Sequence, residues 1–382
     1  MFRFILLFVA IVQIAAFSSC ENRSYSVRLL SQESFDTTLN GKKVGLYTLK
    51  NANGLVVQVT NYGARVVSLW VPCKGDSLVD VVWGYPSIKS YLAATDCYSG
   101  PIVGRFGNRI GKGCFAINGK GYKLSLNDHG NHLHGGSNGF WSRVWDVESD
   151  SSSSVNPSIT LSYLSPDGEE GYPGDLKITV KYILTETNRL KVEYAATTSK
   201  PTIVNPTSHI YFNLHGNTAR SICSHVLQIR ASSFTPTDSL LIPTGEIASA
   251  IGTPLDFNQP TPIGKRIGEP YQPLIYGKGY DHNWVLAKPL GKVDVVAAVF
   301  EPSTGVEMLV ATDQPGLQFY SGNFMNGKDV GKYGQKHLYR SGIALETQNF
   351  PDAPNHPNFP SAFLEPGQVY KQSTYYEFRL RK

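Results

Sequence analysis

A chain of 382 residues has ample material for a large core and, on length alone, for one to three domains. Only 17% of it is charged, and its 35 basic and 30 acidic residues are spread without a polybasic run, which leaves nucleic acid and a membrane surface without support as partners. With 21 Tyr, 18 Phe, 36 Gly and 23 Pro, and no long helical periodicity after the first twenty residues, the composition favours an all-β chain, because aromatics suit pleated surfaces and Gly and Pro punctuate turns.

Met1-Phe-Arg-Phe4 leads into an apolar run from Ile5 to Phe17, broken only by Gln13, and then Ser18, Ser19 and Cys20. A basic start, a short apolar segment and small residues read as a secretory signal peptide over residues 1–20, followed by a single mature domain over 21–382 that is secreted or extracellular. The run is short for a bilayer span, and no second apolar run of that length follows, so no stable membrane span is expected after cleavage. Asn22-Arg-Ser24 is a glycosylation sequon lying against the cleavage region. With Cys20 removed, Cys73, Cys97, Cys114 and Cys223 remain, an even number that allows one or two disulfides and whose spacing matches no zinc site.

Short alternating or apolar runs then recur between turn signals: Gly54–Thr60, Val66–Val71, Ser158–Tyr163 and Leu176–Ile183. This is the rhythm of a large β-sandwich. Asn51-Ala-Asn-Gly54, Pro166-Asp-Gly168 and Tyr172-Pro-Gly174 are predicted turns, and the serine-rich stretch 149–158 a surface loop.

Between these runs lie segments able to carry chemistry. Ser99-Gly-Pro-Ile-Val-Gly-Arg-Phe-Gly-Asn-Arg-Ile110 offers Arg105, Asn108 and Arg109, whose donors and acceptors suit a hydroxyl-rich ligand, while its glycines fit no dinucleotide or phosphate loop. Asn131-His-Leu-His-Gly-Gly136 puts two histidines two apart, which on one strand would point the same way and suggest a metal. No companion carboxylates or cysteines accompany them, so no metal is assigned and His134 reads as a hydrogen-bonding group in a tight loop.

In Asn205-Pro-Thr-Ser-His-Ile-Tyr-Phe-Asn-Leu214, alternation sends Ile210, Phe212 and Leu214 to a core and Thr207, His209, Tyr211 and Asn213 to the opposite face. In Ser341-Gly-Ile-Ala-Leu-Glu-Thr-Gln-Asn-Phe350 it sends Ile343 and Leu345 inward and Ala344, Glu346 and Gln348 to the polar side. Tyr280-Asp-His-Asn283 offers Asp281 as an acceptor for vicinal sugar hydroxyls, and Gln318 in Gln314–Asn323 is a further polar contact. Singly, each residue has an ordinary structural explanation. The joint appearance of His209 and Glu346 on unusually polar strand faces marks them as the proton-transfer pair.

Taken in order, Asn61-Tyr-Gly-Ala64, Gly104-Arg-Phe-Gly-Asn-Arg-Ile110, Leu133-His-Gly-Gly136, Ser208-His-Ile-Tyr-Phe-Asn-Leu214, Tyr280-Asp-His-Asn283, Leu345-Glu-Thr-Gln348 and Tyr375-Tyr-Glu-Phe378 resemble the aldose 1-epimerases, or galactose mutarotases. The resemblance covers nearly all of the mature chain. It implies a large twisted β-sandwich of the galactose mutarotase-like type, with the sugar cleft on one sheet face. It also implies that His209 is the general acid and Glu346 the general base of ring opening, with Asn108, Arg109, His134, Asp281 and Gln318 binding a hexose such as glucose or galactose and no cofactor required. On this reading Glu346 starts ionised and His209 protonated. Two positions depart from the family pattern: Ser208 stands where asparagine is common and His215 where glycine is frequent, both flanking the acid. The same residues leave open an isomerase of a hexose phosphate or another hemiacetal, and a non-catalytic sugar-binding protein. Oligomeric state is not legible.

Overall fold

The computed structural model describes residues 27–216 and 219–381, so the leader expected over 1–20 and the Asn22 sequon lie outside the described residues. Among the described residues strand dominates, and helix is confined to short pieces such as Ile88–Ala93, capped by the Ser87 side chain on the Ser90 N–H, and Gln272–Gly277. Among the described residues no helix is long and apolar enough to cross a membrane.

A nine-stranded antiparallel sheet runs in the spatial order Asp146–Asp150, Ser158–Ser165, Leu176–Leu184, Arg189–Thr198, Tyr370–Leu380, Val306–Thr312, Asp294–Phe300, Val226–Ile229, Thr261–Pro262. The alternation read in the sequence sets its inner face: Leu176, Ile178, Val180, Tyr182 and Leu184 are buried while the residues between them turn toward solvent. Their neighbours match, with Ile178 opposite Ala196, Val180 opposite Tyr194 and Tyr182 opposite Val192. Such in-register apolar pairs fix the pairing, because a slip of one residue would send every one of them to the wrong face.

The second large sheet carries the polar segments. Its strands are β1 (Tyr211–Phe212), β2 (Ser233–Thr235), β3 (Ala248–Ser249), β4 (Asp281–Val285), β5 (Gly316–Tyr320) and β6 (Ile343–Gln348), in the spatial order β1-β6-β5-β4-β2-β3. Phe212, Leu214, Trp284, Leu317, Phe319, Ile343 and Leu345 leave its inner face and share one core with the nine-stranded sheet. The Phe212 ring lies 5.0 Å from that of Tyr376, and the Tyr376 hydroxyl donates to the Leu345 carbonyl at 3.3 Å. Each large apolar side chain buried this way stabilises by about 1.5–3 kcal/mol, so the inner face holds the sandwich and the outer one is free to be polar. A four-stranded sheet, Leu46–Lys50, Val56–Thr60, Arg65–Cys73 and Ser77–Asp80, adds Leu49, Val57, Val59 and Leu69 to the same core.

The predicted turn at Asn51–Gly54 is present, with the Asn51 side chain accepting from Leu55 N at 2.9 Å. Pro166-Asp-Gly168 and Tyr172-Pro-Gly174 belong to one connection between neighbouring strands, and Ser149–Asn156 is exposed. Cys73, Cys97, Cys114 and Cys223 are all free thiols, so none of the disulfides that the cysteine count allowed joins these four.

Arg105 departs from the expectation that it faces a ligand. It is 1% exposed, and its guanidinium donates to the carbonyls of Pro173 (2.9 Å), Gly174 (2.8 Å), Ser165 (3.1 Å) and Pro166 (3.2 Å) and to the Ser165 hydroxyl (2.7 Å). The planar fork of arginine is what lets one side chain satisfy so many acceptors from one connection. Arg105→Met keeps the volume and strands those carbonyls, so it is expected to cost at least about 3 kcal/mol of stability. A denaturation midpoint within experimental error of wild type would show that the strap is dispensable.

Candidate active site

The outer face of β4, β5 and β6 is ordered by register. Asn283 sits opposite Gln318 and Gln318 opposite Glu346, giving one polar row across three strands; two residues along, Asp281, Tyr320 and Ala344 form the next. His209 precedes β1, whose Tyr211 pairs with Ala344, so the histidine is carried to the Glu346 side of the same face. The segment around it is two short strands rather than one, Thr207–Ser208 against Val103 and Ile102, then Tyr211–Phe212 against β6, with His209 and Ile210 between them.

The floor of the resulting cavity, about 620 Å³, is the pair itself: His209 Nε2 lies 3.6 Å from Glu346 Oε1, and both side chains are almost fully buried. Burial pushes the His209 imidazole down to about 4, and the carbonyls of His209 and Tyr98 offset this only partly, without closing a hydrogen bond to Nδ1. Burial likewise raises the Glu346 carboxyl well above its ordinary value; the Asp281 charge adds to the rise and Arg109 opposes it. The surroundings therefore favour the neutral acid beside the neutral imidazole. This differs from the expectation that Glu346 starts ionised and His209 protonated, and the reason is desolvation of both charges.

Arg109, Asp281 and Asn108 line the same cavity. Arg109 Nε donates to Asp128 at 2.7 Å, and its Nη1 reaches toward Asp281 at 3.9 Å. Gln318 is not a cavity-lining residue. Its Nε2 donates to Asp281 Oδ1 at 2.7 Å, so its place is to hold that carboxylate rather than to meet a ligand directly. Asn108 and His134 both take left-handed backbone (φ 62° and 51°) and lock together: His134 N donates to the Asn108 carbonyl at 3.1 Å and Asn108 N donates to His134 Nδ1 at 3.0 Å. Glycine is required next to them, since a Cβ on Gly135 would lie 1.6 Å from the Gly104 carbonyl oxygen.

That bond settles the His134 tautomer. A nitrogen that accepts cannot carry the hydrogen, so Nε2 does, and His134 presents an N–H donor to the cavity. One donor atom each of His134, His209 and Glu346 lie within 4.8 Å of one another, a spacing that would suit a metal ion. The donor set does not fit one, because the remaining His134 nitrogen has no lone pair to offer in this tautomer. The two histidines of 131–136 do not act together. The strand there is only His132–Leu133, and His132 is satisfied by the Ser125 carbonyl (2.7 Å) and the Tyr172 hydroxyl (2.6 Å).

Several contributors escaped the sequence reading. Tyr98 packs its ring 4.7 Å from His134 and 5.8 Å from His209, Asp128 anchors Arg109, and Tyr320 and Phe324 wall the cavity. Of these only Tyr320 is named by the sequence, where with Phe319 it reads either as core or as a surface for the apolar face of a sugar; Phe319 joins the core and Tyr320 the cavity wall. Neither departure from the family pattern lines the cavity: Ser208 lies in the Thr207–Ser208 strand, and His215 is buried against Glu301 at 3.3 Å. Asn213, expected on the polar face, instead donates to the carbonyls of Arg220 and Ser341.

Comparison with known proteins adds an independent line. The sequence model of the family described as aldose 1-epimerase matches residues 45–377. The galactose mutarotase of Bos taurus is 41% identical over 324 residues, 85% of this chain and 91% of that protein, and the aldose 1-epimerase of Escherichia coli (strain K12) is 36% identical over 343 residues, 89% and 96%. Among solved structures, an aldose epimerase homologue from C. elegans superposes with a TM-score of 0.80 at 28% identity, covering 89% of this chain and 100% of that one. A galactose 1-epimerase from Lactobacillus acidophilus gives 0.77 at 28% identity, covering 91% and 97%.

Proposed function

The chain belongs to the aldose 1-epimerase family, and from that premise we propose that its cleft opens and recloses the ring of a free hexose, with Glu346 as base and His209 as acid. It is an isomerase that interconverts the α and β anomers of aldoses, as its relatives' names describe. The observation that carries the residue assignment is the 3.6 Å approach of His209 Nε2 to Glu346 Oε1 at the floor of a cavity also lined by Arg109, His134 and Asp281.

In ring opening Glu346 takes the proton of the anomeric hydroxyl, the C1–O1 bond becomes a carbonyl, the C1–O5 bond breaks, and His209 delivers a proton to O5. Nothing is left over, and no cofactor enters. The pair is then a neutral carboxylic acid and a neutral imidazole, the arrangement that burial of this site favours. The step therefore starts from the form in which the Glu346 proton has passed to His209 across 3.6 Å, and ring opening returns the pair to its favoured neutral form. After rotation about C1–C2, the proton on O5 returns to His209, Glu346 protonates the former carbonyl oxygen, and the other anomer leaves. The His134 N–H and the Arg109 guanidinium are placed to steady the charge that develops on the ring oxygens, and Asp281, fixed by Gln318, to accept from sugar hydroxyls.

A phosphorylated aldose fits this cleft less well. Its lining includes Asp96, Asp128, Asp281, Asp329 and Glu346 against Arg109 and Lys278, and Arg109 is already engaged by Asp128. Freshly dissolved α-D-glucose and α-D-galactose are therefore expected to reach anomeric equilibrium faster with the purified protein, with D-glucose 6-phosphate accelerated at least about tenfold less, the cost of placing an anion in a cleft whose aspartates outnumber its arginine and lysine. Polarimetry or NMR reads both. Equal acceleration of the phosphate would overturn the choice of a neutral sugar, and sugar binding without anomer exchange would favour a carrier. The segment Met1–Cys20 supports a secretory destination for the enzyme, tested by sequencing the N-terminus of protein recovered from the secretory route.

A further inference from the structure

Arg65 opens the strand Arg65–Cys73 of the four-stranded sheet, and no step of ring opening touches it. It is 1% exposed, and its acceptors are backbone carbonyls: Nη1 donates to Cys97 (2.9 Å) and Ser99 (3.0 Å), and Nη2 to Trp141 (2.7 Å). The guanidinium carbon lies over the rings of Tyr62 (5.1 Å) and Tyr91 (5.0 Å). Carbonyls and ring faces satisfy the donors but do not cancel the charge, so its field reaches into the surroundings.

What sets this strap apart from that of Arg105 is what it holds. Cys97 and Ser99 flank Tyr98, so the two Nη1 bonds fix the backbone on either side of the residue whose ring packs on both active-site histidines, 4.7 Å from His134 and 5.8 Å from His209. The Nη2 bond brings in Trp141, whose ring meets that of Tyr98 edge-on at 5.7 Å. The same segment then reaches the acid through its backbone. Val66 N donates to the Gly100 carbonyl (3.0 Å), Gly100 N to the His209 carbonyl (3.0 Å) and His209 N to the Pro101 carbonyl (2.9 Å). Room for the strap is made by Gly63, at φ 71°, where a Cβ would lie 2.4 Å from the Trp141 carbonyl oxygen that Arg65 binds.

We propose that Arg65 is a positioning residue for the acid, holding residues 97–101 so that the Tyr98 ring fixes the His209 imidazole toward Glu346. Its charge works with its geometry. Burial is the main cause that lowers His209 to about 4, the carbonyls of His209 and Tyr98 oppose it, and the Arg65 charge adds to it. The other groups around the imidazole are Glu346 on β6 at 3.6 Å, the His134 ring at 5.1 Å, Tyr98, and the Tyr211 ring of β1 at 4.8 Å; Arg109 and Asp281 share the cavity, and Asp96, raised to about 6, lies on the Tyr98 segment. Burial keeps both tyrosines and His134 neutral. Glu346, His134 and Tyr211 are carried by other elements, so a change at Arg65 reaches His209 through its charge and through the Tyr98 segment.

Arg65→Met and Arg65→Lys test this, with circular dichroism as the check of fold. Methionine removes both charge and strap, and kcat for anomer exchange is expected to fall at least about tenfold, with KM within about twofold of wild type because Arg109, Asp281 and His134 keep their own partners. The His209 ring is followed by NMR in histidine-labelled protein, its signals identified by their loss in His209→Gln. In Arg65→Met it is expected to bind its proton at least about tenfold more tightly, since loss of a nearby cation and entry of water both favour the imidazolium. Lysine keeps the charge and three donors and is expected to return both readouts toward wild type. Tyr98→Leu leaves the strap intact and cuts the last link, so it is expected to move the ring titration in the same direction, and it decides the case if Arg65→Met does not fold. A mere weakening of the fold would lower the melting temperature and leave the titration where it was. An unmoved His209 titration in Arg65→Met or in Tyr98→Leu, a lysine variant no closer to wild type than methionine, or failure of both Arg65 variants to fold would overturn the proposal and make Arg65 a residue of the core. The effect on kcat rests on the reading of His209 as the acid: full activity in His209→Gln would refute that reading, and the ring titration would still decide whether Arg65 holds the imidazole.

Discussion

Glu346→Gln is expected to lower kcat for anomer exchange by about 10²–10⁴-fold, the usual contribution of a positioned general base, while leaving sugar binding nearly unchanged. The substitution is isosteric, and the site tolerates an amide: Glu346 lies in register with Gln318, and its Oε2 has no partner that an NH₂ group would displace. Its effect on the fold points the other way from its effect on activity. Burial raises the Glu346 carboxyl well above its ordinary value, so the folded protein holds an ionised carboxylate at this position only at a cost that glutamine does not incur. A melting temperature equal to or above that of wild type should therefore accompany the loss of turnover, the signature of a group retained for chemistry rather than stability. Near wild-type kcat in a folded variant would remove Glu346 from the role of base. Lost activity with a lowered melting temperature would make it a structural residue.

How far the sequence could reach is clearest from residues that share a segment. Alternation separated Phe212 and Leu214 from His209 and Tyr211, and Ile343 and Leu345 from Glu346, because the period of a strand is a local property and one face had to enter the core. It said nothing of which strands lie side by side. The row Asn283-Gln318-Glu346 exists only through pairing across gaps of tens of residues, and it turned Gln318 from a ligand contact into the support of Asp281. Arg105 and Arg109 stand four apart in one glycine-rich loop, yet the first straps a buried connection and the second faces the cleft. Left-handed backbone at Asn108 and the fold of that loop decide the difference, and neither is a matter of periodicity. His132 and His134 diverge for the same reason. The ordered motifs of the family resemblance carried what spacing could not, namely that these scattered segments converge, but a motif does not show Asp128 behind Arg109, since that contact comes from a loop outside it.

His209→Gln separates the acid from the base through the pH dependence of the residual rate. In the wild type the reactive state is the pair with one proton, whichever partner holds it, because a proton on Glu346 and a neutral His209 differ from the ion pair only by transfer across 3.6 Å. As pH falls, activity is lost when the pair takes a second proton, which goes to His209. Burial holds that imidazole down at about 4, so the acid limb of kcat/KM is expected near pH 4, far below the ordinary histidine range. As pH rises, activity is lost when the remaining proton leaves, and the raised affinity of the Glu346 site delays that loss. Glutamine at 209 changes both the height and the position of this profile. The rate should fall by about 10²–10⁴-fold for want of the acid. What remains needs an ionised Glu346 with no imidazole to hold its proton, so the acid limb now marks deprotonation of the buried carboxyl itself and must move upward, toward neutral pH. A merely structural role for His209 would lower the rate without moving the limb. An acid limb still near pH 4 with substantial turnover would show that His209 does not share the proton, and would transfer the role of acid to the neighbouring His134 N–H.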